Sequence, residues 1–275
     1  MLTALIKRFI SDALEEDLGP FGDMTSLAVI PQDARGQAVF IGREPFLFYG
    51  WEIVREVFVQ TDPELHLHIR IPDGKWVDEK IVLAIAEGPI RSLLAAERTS
   101  LNFIQHLSAI ATRTHKWVER LAPYETRLMD TRKTIPGWRA LQKEAVRAGG
   151  GLNHRFGLFD GVLIKDNHIA ACGSIAEAVK RAHDHFPYRK IEIEVADADM
   201  ARQALGAGAD ILLLDNMAPK VCAEVVALAR GEAMTEASGG IGEDNLEAYA
   251  ETGVDFISTG ALTHSVQAVD IAMKI

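Results

Sequence analysis

DTRKTIPGWRALQKEAVRAGGGLNHRFGLFDGVLIKDNHI, residues 130–169, is the stretch from which both the fold and the chemistry of this chain are inferred most directly. It contains seven lysines and arginines against four acids, a net charge of +3. The whole chain of 275 residues has a formal charge of −10, so the remainder carries −13. A basic island in an acidic protein favours a small anionic ligand, because nucleic acid requires a broad basic surface that this composition lacks.

The stretch alternates apolar strands with basic segments. Arg127–Asp130 is predicted to close a strand, Pro136 to open a helix and the glycines at 149–151 to end it. An extended segment, 152–155, and a strand, 161–164, follow. The strand ends and the extended segment carry the cations expected to meet the ligand, namely Arg132, Lys133, His154, Arg155 and Lys165. The cations spaced by four within the helix, Arg139, Lys143 and Arg147, are predicted to form its solvated face.

The chain before residue 122 mixes helices and strands. A first amphipathic helix is predicted from Leu2, Leu5 and the apolar positions after them to about Asp17, and a second helix over 50–60. Strands are predicted at 37–42, 66–71 and 80–88, followed by a long helix over 91–121. Arg98 falls close to the apolar stripe of that helix, where an arginine either pairs with an acid such as Glu97 or binds an anion.

After Ala122-Pro123 the pattern changes to repeated strand-then-helix units. Seven strands are predicted, at 126–130, 152–155, 161–164, 190–195, 210–214, 234–238 and 255–259. Seven such units indicate a parallel α/β barrel, and the change of pattern marks a second domain.

The residues at the ends of these strands follow an order. Cations come first, the carboxylates Glu194 and Asp215 follow, and the glycine-rich loops Ser238-Gly239-Gly240 and Thr259-Gly260-Ala261 come last. In α/β barrels the site lies at the carboxyl ends of the strands, and the last two loops commonly hold phosphate. The carboxylates suit sugar hydroxyls, Mg²⁺ or a developing positive charge. Taken singly, the glycines could be ordinary turns and the carboxylates could be helix caps.

Composition and cysteine content restrict the class of protein. Cys172 and Cys222 are far apart and form no metal-ligand motif, which favours a reducing compartment without disulfides or structural zinc. Lys7 and Arg8 interrupt the first apolar stretch before it is long enough for a signal peptide, and no run approaches a membrane span. We therefore expect a cytoplasmic protein that binds neither membranes nor nucleic acid.

Several segments closely resemble the quinolinate phosphoribosyltransferase family, also called nicotinate-nucleotide pyrophosphorylase (carboxylating). They are DTRKTIPG, AVRAGGGLNHRFGL, LIKDNHI, IEIEV, LLLDNM, EASGGI and STGALTHS. ERTSLNFIQHLSAIAT is similar to the helix that precedes the barrel in that family, and EEDLGPFGDMTS matches weakly. The resemblance covers nearly the whole chain, and its motifs are long and ordered.

The resemblance implies a type II phosphoribosyltransferase-like fold. An N-terminal α+β open sandwich, residues 1–122, would precede a seven-stranded parallel α/β barrel, residues 123–263, with residues 264–275 packing back on the sandwich. It also implies a dimer, or a hexamer built from dimers. The implied reaction makes nicotinate mononucleotide, CO2 and pyrophosphate from quinolinate and phosphoribosyl pyrophosphate in de novo NAD synthesis, with Mg²⁺ and no organic cofactor.

The resemblance also implies roles for individual residues. Arg132, His154, Arg155 and Lys165 would hold the two carboxylates of quinolinate, with Arg98 contributed by the partner subunit of a homodimer. Lys133 would lie beside the pyrophosphate. Glu194 and Asp215 would face the ribose hydroxyls and Mg²⁺, and with Lys165 they are the predicted catalytic residues. The remaining substrate-binding residues would be Thr131, Ser238, Gly239, Gly240, Ser258, Thr259, Gly260 and His264.

Three other functions are compatible with parts of the sequence. A relative of this family found with molybdenum transport genes shares the barrel but differs around the NHR and LIKDNH segments, which here are of the quinolinate type. Lys165 at a barrel strand end could form a Schiff base in an aldolase. The third alternative is a protein that binds anions without turnover, but that function would give no role to the paired Glu194 and Asp215. One departure from the family pattern is Ala109, where a glycine is expected.

Overall fold

The computed structural model describes residues 3–275, which fall into two compact units. The first contains the chain up to 115 together with residues 135–149 and 266–275. The second contains residues 116–134 and 150–265. This division differs from the predicted boundary at residue 122, because residues 135–149 group with the first unit and the long helix crosses the boundary.

The first unit combines helices with antiparallel sheets. Its elements are α1 (Ala4–Leu18), α2 (Met24–Val29), β1 (Arg35–Gly42), β2 (Phe46–Phe48), α3 (Trp51–Thr61), β3 (His66–Ile69), β4 (Lys75–Val77), β5 (Ile81–Pro89), α4 (Ile90–Leu121, which continues into the second unit), α5 (Arg139–Ala148) and β12 (Ile271–Lys274). The predicted first helix is confirmed as α1, capped by Thr3, whereas Leu2 lies outside the described residues.

The four-stranded antiparallel sheet of this unit has the strand order β12-β1-β5-β3. Strand β1 buries alternate residues from Ala38 onwards, as expected for a strand with one face on a core. Phe40 is fully buried, and its ring meets Trp51 edge-on with 5.7 Å between centroids. The C-terminal strand β12 completes the sheet by pairing with β1, Val39 opposite Lys274.

Helix α5 begins later than predicted. Pro136 does not open it, because Gly137 adopts a φ of +83° and the backbone N–H of Trp138 donates to the Ile135 carbonyl, which closes a turn. The helix therefore starts at Arg139. The prediction that Arg139, Lys143 and Arg147 form the solvated face of this helix is also partly wrong, since Lys143 is only 3% exposed.

The second unit alternates parallel strands with helices. Its elements are β6 (Arg127–Met129), β7 (Val162–Ile164), α6 (Asp166–Cys172), α7 (Ile175–His185), β8 (Ile191–Val195), α8 (Ala198–Gly206), β9 (Ile211–Asp215), α9 (Pro219–Ala229), β10 (Met234–Ser238), α10 (Leu246–Ala250), β11 (Phe256–Ser258) and α11 (Ala261–His264). Strands such as β8 and β9 are buried over most of their length, which is typical of parallel strands covered on both faces.

The parallel α/β character predicted for this unit is confirmed, with six strands in the order β6-β11-β10-β9-β8-β7. The seventh predicted strand, 152–155, is only a single bridge between Leu152 and Met129. Beyond Leu152 the buried Asp130 takes the place of a neighbouring strand. Its carboxylate accepts the backbone N–H of His154 at 2.9 Å and the side-chain amide of Asn153 at 2.6 Å. Across residues 3–275, no helix combines the length and hydrophobicity needed to span a bilayer.

Candidate active site

A cavity of about 370 Å³ lies at the carboxyl ends of the parallel strands in the second unit. This is the expected place for a site in an α/β sheet of this kind. The predicted site residues that line it are Thr131, Arg132, Lys133, His154, Arg155, Lys165, Glu194, Asp215, Ser238, Gly239, Gly240, Ser258, Thr259, Gly260 and His264. The lining is completed by Leu163, Leu213, Glu236, Ile241 and Ala261.

Arg98 is the one predicted site residue that does not line this cavity. It lies on α4 and is exposed, which corrects the expectation that it sits close to the buried side of the helix. A role in the site of a partner subunit, as the resemblance implies, remains a prediction.

Asp130, which follows β6, holds two of the cationic residues of the cavity, His154 and Arg155, in place. By accepting hydrogen bonds from Asn153 and His154, its carboxylate fixes the segment that presents His154 and Arg155. Nη1 of Arg155 also donates to the Gly161 carbonyl at 3.1 Å. Burial, and then the positive charge of Arg132, lower the pKa of Arg155, so these two guanidinium groups repel each other across the site. An anion placed between them would relieve that repulsion.

His154 faces two buried carboxylates. Its Nε2 lies 3.2 Å from Oε2 of Glu192 and 3.4 Å from Oε2 of Glu236, while its Nδ1 accepts the backbone N–H of Arg155 at 2.8 Å. Burial by itself lowers the pKa of His154. The hydrogen bonds and negative charges of Glu192 and Glu236 outweigh burial and raise that pKa to about 10. Burial raises the pKa of Glu192, the hydrogen bond from His154 opposes that rise, and the nearby Glu236 adds to it.

The two predicted carboxylates, Glu194 and Asp215, line the cavity, and each has a polar neighbour. Lys165 Nζ lies 2.8 Å from Glu194 Oε2 in an ion pair that is more exposed on the lysine side. The side-chain amide of Asn216 donates to Asp215 Oδ2 at 2.7 Å. Asn216 has a φ of +52°, and its backbone N–H donates to the Ser238 carbonyl. Asp215 is thereby tied to the glycine-rich loop that follows β10.

The two glycine-rich loops bring the backbone close to other groups. Gly239 and Gly240 have φ values of +94° and +63°, and a Cβ on Gly239 would lie 2.3 Å from Asn216 Oδ1. After β11, a Cβ on Gly260 would lie 2.7 Å from the His264 ring and 2.9 Å from Lys133 Cδ. Because residue 260 has no side chain, the side chains of Lys133 and His264 can both lie close to the backbone of that loop.

The ligand atoms of His154, Glu192 and Glu236 lie within 4.8 Å of one another, and within residues 3–275 this is the group of three whose geometry could hold a metal ion. The predicted metal residues Glu194 and Asp215 have no third acid, histidine or cysteine that completes such a group in the described chain. Two carboxylates without a third protein ligand still suit Mg²⁺, which usually keeps several waters and binds substrate phosphates.

Sequence reasoning missed Glu192, Glu236 and Asn216. A signal for the two glutamates was present, because alternate residues of a strand share a face. Glu192 lies two residues before Glu194, and Glu236 two residues before Ser238, so both point the same way as predicted site residues. No comparable signal marks Asn216, whose role depends on its positive φ.

Comparison with known proteins gives one consistent result. A family model described as quinolinate phosphoribosyl transferase, C-terminal domain, matches residues 110–274, and its N-terminal counterpart matches residues 23–108. A Bacillus subtilis protein named probable nicotinate-nucleotide pyrophosphorylase (carboxylating) is 42% identical over 271 residues, which cover 98% of this chain and 93% of that protein.

Two solved structures are also similar over their full length. The nicotinate-nucleotide pyrophosphorylase of Francisella tularensis is 41% identical with a TM-score of 0.96, covering 100% of this chain and 97% of that one. That of Ehrlichia chaffeensis is 36% identical with a TM-score of 0.94, covering 99% and 98%.

Proposed function

The chain belongs to the quinolinate phosphoribosyltransferase family, and from that premise we propose that its cavity transfers the phosphoribosyl group of phosphoribosyl pyrophosphate to quinolinate. The products are nicotinate mononucleotide, pyrophosphate and CO2, a step of NAD biosynthesis. One observation carries the proposal. A single cavity is lined by a cluster of cations, by two glycine-rich loops and by the carboxylates of Glu194, Asp215 and Glu236.

The cationic end suits a planar dianion. Arg132 and Arg155 each offer a planar fork of N–H donors that can hold a carboxylate through two parallel bonds, and Lys165 adds a mobile charge. Burial, and then the positive charge of Arg132, lower the pKa of Arg155. A carboxylate bound between the two guanidinium groups would attract both and offset their mutual repulsion.

The glycine-rich loops suit a sugar phosphate. Gly239 and Gly240, with positive φ, and the close approach at Gly260 leave backbone that an anion can reach without meeting a side chain. Lys133 and His264 converge beside Gly260 and supply positive charge. We assign the phosphate of phosphoribosyl pyrophosphate to these loops and its pyrophosphate to the side of Lys133.

The carboxylates of Glu194 and Asp215 suit the chemistry at the sugar. Displacement of pyrophosphate by the quinolinate nitrogen develops positive charge on the ribose anomeric carbon, and Glu194 or Asp215 would stabilise it. The ribosylated ring nitrogen is then cationic. Its positive charge stabilises the electron pair left on the adjacent ring carbon when the carboxylate departs as CO2, and a proton from solvent then adds to that carbon, so the reaction requires no organic cofactor.

The proposal includes Mg²⁺. Glu194 and Asp215 offer the oxygen ligands that this ion prefers and would hold it directly or through water. When bound, the ion would neutralise charge on the leaving pyrophosphate. Asn216 would keep the Asp215 carboxylate oriented towards it through the 2.7 Å hydrogen bond.

We further propose that the enzyme works as a homodimer, or as a hexamer built from dimers, in which Arg98 of one subunit serves the quinolinate site of the other. The exposure of Arg98 is compatible with such a role. The cytoplasmic location expected from the sequence stays a prediction.

The direct test is release of labelled CO2 from carboxyl-labelled quinolinate in the presence of phosphoribosyl pyrophosphate and Mg²⁺, with nicotinate as the competing acceptor. Release that requires all three components is the expected result. Ribosylation of nicotinate without CO2 release from quinolinate would contradict the dianion site. Quinolinate binding without turnover would favour the anion-binding alternative, and borohydride trapping of a carbonyl substrate on Lys165 would favour the aldolase.

A further inference from the structure

We propose that Thr263 is a positioning residue that fixes the backbone of Lys133 to the loop after β11 and so matches the site to both anionic ends of phosphoribosyl pyrophosphate. The inference rests on the proposed function for the identity of that substrate. Its geometric basis, a buried hydroxyl bonded to the Lys133 carbonyl, is independent of that function. Thr263 is not among the predicted site residues, nor among the residues that line the cavity.

Lys133 lies beyond the end of the hydrogen-bonded ladder that joins β6 to β11. The parallel pairing of these strands extends to a bond from the backbone N–H of Thr259 to the Met129 carbonyl at 3.1 Å. The residue after Met129, Asp130, turns its backbone N–H to the Leu152 carbonyl instead. The position of Lys133 therefore depends on contacts outside the sheet.

Two threonine hydroxyls hold the backbone of Lys133. The Thr131 hydroxyl accepts its N–H at 3.0 Å, and Thr263 Oγ1 donates to its carbonyl at 2.7 Å. The Thr263 hydroxyl has one proton to donate, and a second acceptor within reach, the Gly260 carbonyl, lies farther away at 3.2 Å. That carbonyl already accepts the backbone N–H groups of Thr263 and His264. We therefore assign the hydroxyl proton to the Lys133 carbonyl.

Burial gives the bond from Thr263 its importance. Thr263 is 0% exposed, and a buried hydroxyl that loses its partner costs free energy, so the folded chain keeps this bond. Lys133, by contrast, is exposed, and its four-carbon side chain is flexible. The bond thus anchors the backbone of an exposed cation to a rigid, buried point.

The side chain of Lys133 then passes over the same loop that Thr263 secures. A Cβ on Gly260 would lie 2.9 Å from Lys133 Cδ. Thr259, the residue before Gly260, joins this loop to the loop that follows β10, because its hydroxyl donates to the Ile241 carbonyl at 2.7 Å. The loop after β11 is therefore bonded both to the Lys133 backbone and to the other glycine-rich loop.

The arrangement concerns the substrate that donates the phosphoribosyl group. This molecule has a phosphate, assigned above to the glycine-rich loops, and a pyrophosphate, assigned to Lys133. A ligand with two anionic ends binds more tightly when the groups that receive them already have a fixed spacing, because less conformational freedom is then lost on binding. The Thr263 hydroxyl sets that spacing. Quinolinate is assigned to other cations, so its binding should not depend on Thr263.

The experiment compares Thr263→Val, which keeps the shape of the side chain but loses the hydroxyl, with Thr263→Ser, which keeps the hydroxyl. In Thr263→Val we expect KM for phosphoribosyl pyrophosphate to rise about 10-fold, as for the loss of one hydrogen bond, and KM for quinolinate to stay within about 2-fold of the wild type. Thr263→Ser should stay within about 2-fold for both substrates. Equal rises in both KM values, or no rise in either, would overturn the proposal.

Thr126→Val is the matched control. Thr126 is buried, and its hydroxyl donates to the Val254 carbonyl at 2.6 Å, which joins the chain just before β6 to the chain just before β11. The control removes the same kind of bond between the same two strands, at the end away from the cavity. It should lower the free energy of unfolding and leave both KM values unchanged. If it raised KM for phosphoribosyl pyrophosphate as much as Thr263→Val does, general loosening of the two strands would explain the effect and the proposal would fail.

A second measurement does not need turnover. In calorimetric titration with inorganic pyrophosphate and Mg²⁺, we expect the affinity of Thr263→Val to be about 10-fold lower than that of the wild type and of Thr263→Ser. In a Lys133→Met background, Thr263→Val should cause little further loss, because Thr263 acts through Lys133. The same loss with and without Lys133 would contradict that dependence. If Thr263→Val does not fold, Thr263→Ala replaces it, since alanine removes the hydroxyl without placing a methyl group against the Lys133 carbonyl.

The two measurements separate this inference from the proposed function. Weaker pyrophosphate binding in Thr263→Val, in a protein whose wild type releases no CO2 from quinolinate, would support the role of Thr263 and contradict the proposed reaction. Release of CO2 by the wild type, with pyrophosphate binding unchanged in Thr263→Val, would do the reverse. A wild type that does not bind pyrophosphate would overturn the role of Thr263.

Discussion

Lys165 and Glu194, which both line the cavity, form an ion pair with 2.8 Å between Nζ and Oε2. We expect this pair to couple the two substrates electrostatically. A quinolinate carboxylate that draws Lys165 away would leave Glu194 available for the ribose or for Mg²⁺.

Replacing Lys165 by Met should lower kcat/KM for quinolinate by about 10- to 100-fold, because a charge-assisted hydrogen bond to the dianion is lost. KM for phosphoribosyl pyrophosphate should change much less. Steady-state kinetics with each substrate varied in turn measure both effects. Lys180→Met, on the exposed face of α7, is the matched control and should be unaffected. Unchanged kcat/KM in Lys165→Met would remove Lys165 from the site.

Arg98→Ala and Arg155→Ala proteins should each be nearly inactive, whereas a mixture of the two should regain part of the activity. If Arg98 serves the partner subunit, a hybrid dimer contains one site with both arginines intact. The measurement is CO2 release after subunit exchange, with each variant mixed with itself as the control. Failure to regain activity despite demonstrated exchange would place both arginines in the site of one chain.

Gly239→Ala should lower the free energy of unfolding by about 1–3 kcal/mol and impair turnover. The new Cβ would require a φ of +94° and would lie 2.3 Å from Asn216 Oδ1, so Asn216 must move and release Asp215. Gly242→Ala is the control, because its φ is not positive and a Cβ there has no neighbour within 4 Å. The free energy of unfolding, measured by chemical denaturation, and kcat should both be lower for Gly239→Ala than for Gly242→Ala. Equal values for the two variants would contradict the role assigned to Gly239.

Stability should fall as the pH rises from about 6.5 to about 10, in part because of His154. Its pKa is about 10 in the folded chain against 6.5 as the ordinary value, so the folded state binds more protons over that interval. The stabilisation that comes from protonated His154 is complete below pH 6.5. It is lost as the pH rises past the pKa that His154 has in the folded chain. Urea unfolding at pH 7, 8 and 9 should show a steeper decline for the wild type than for His154→Asn. Parallel declines would mean that His154 keeps its ordinary pKa.

The sequence predicted those parts of the fold and site that depend on local pattern. The apolar strands of the second unit and the residues at their carboxyl ends are recognisable because each strand is short, bounded and followed by polar residues. Lys133 and Gly260, far apart in sequence, were both predicted as site residues, and they lie side by side in the cavity.

The errors arise where tertiary contacts override local pattern. Residues 152–155 were predicted as a strand, yet the buried carboxylate of Asp130 binds their polar groups. Lys143 has a spacing typical of a solvated helix face but is buried in the first unit. The exposure of Arg98 could not be predicted either, because its spacing on the helix places it at the edge of the apolar stripe.

The division of the first unit among three separate segments has a consequence for biosynthesis. Strand β12 is translated after every other strand and helix described here, yet it occupies one edge of the sheet through its pairing with β1. The sheet therefore cannot be completed until β12 has left the exit tunnel of the ribosome, and until then β1 presents an open edge. Nascent chains stalled just short of β12 should consequently be more sensitive to protease, and more prone to pair with other unfinished chains, than the released protein.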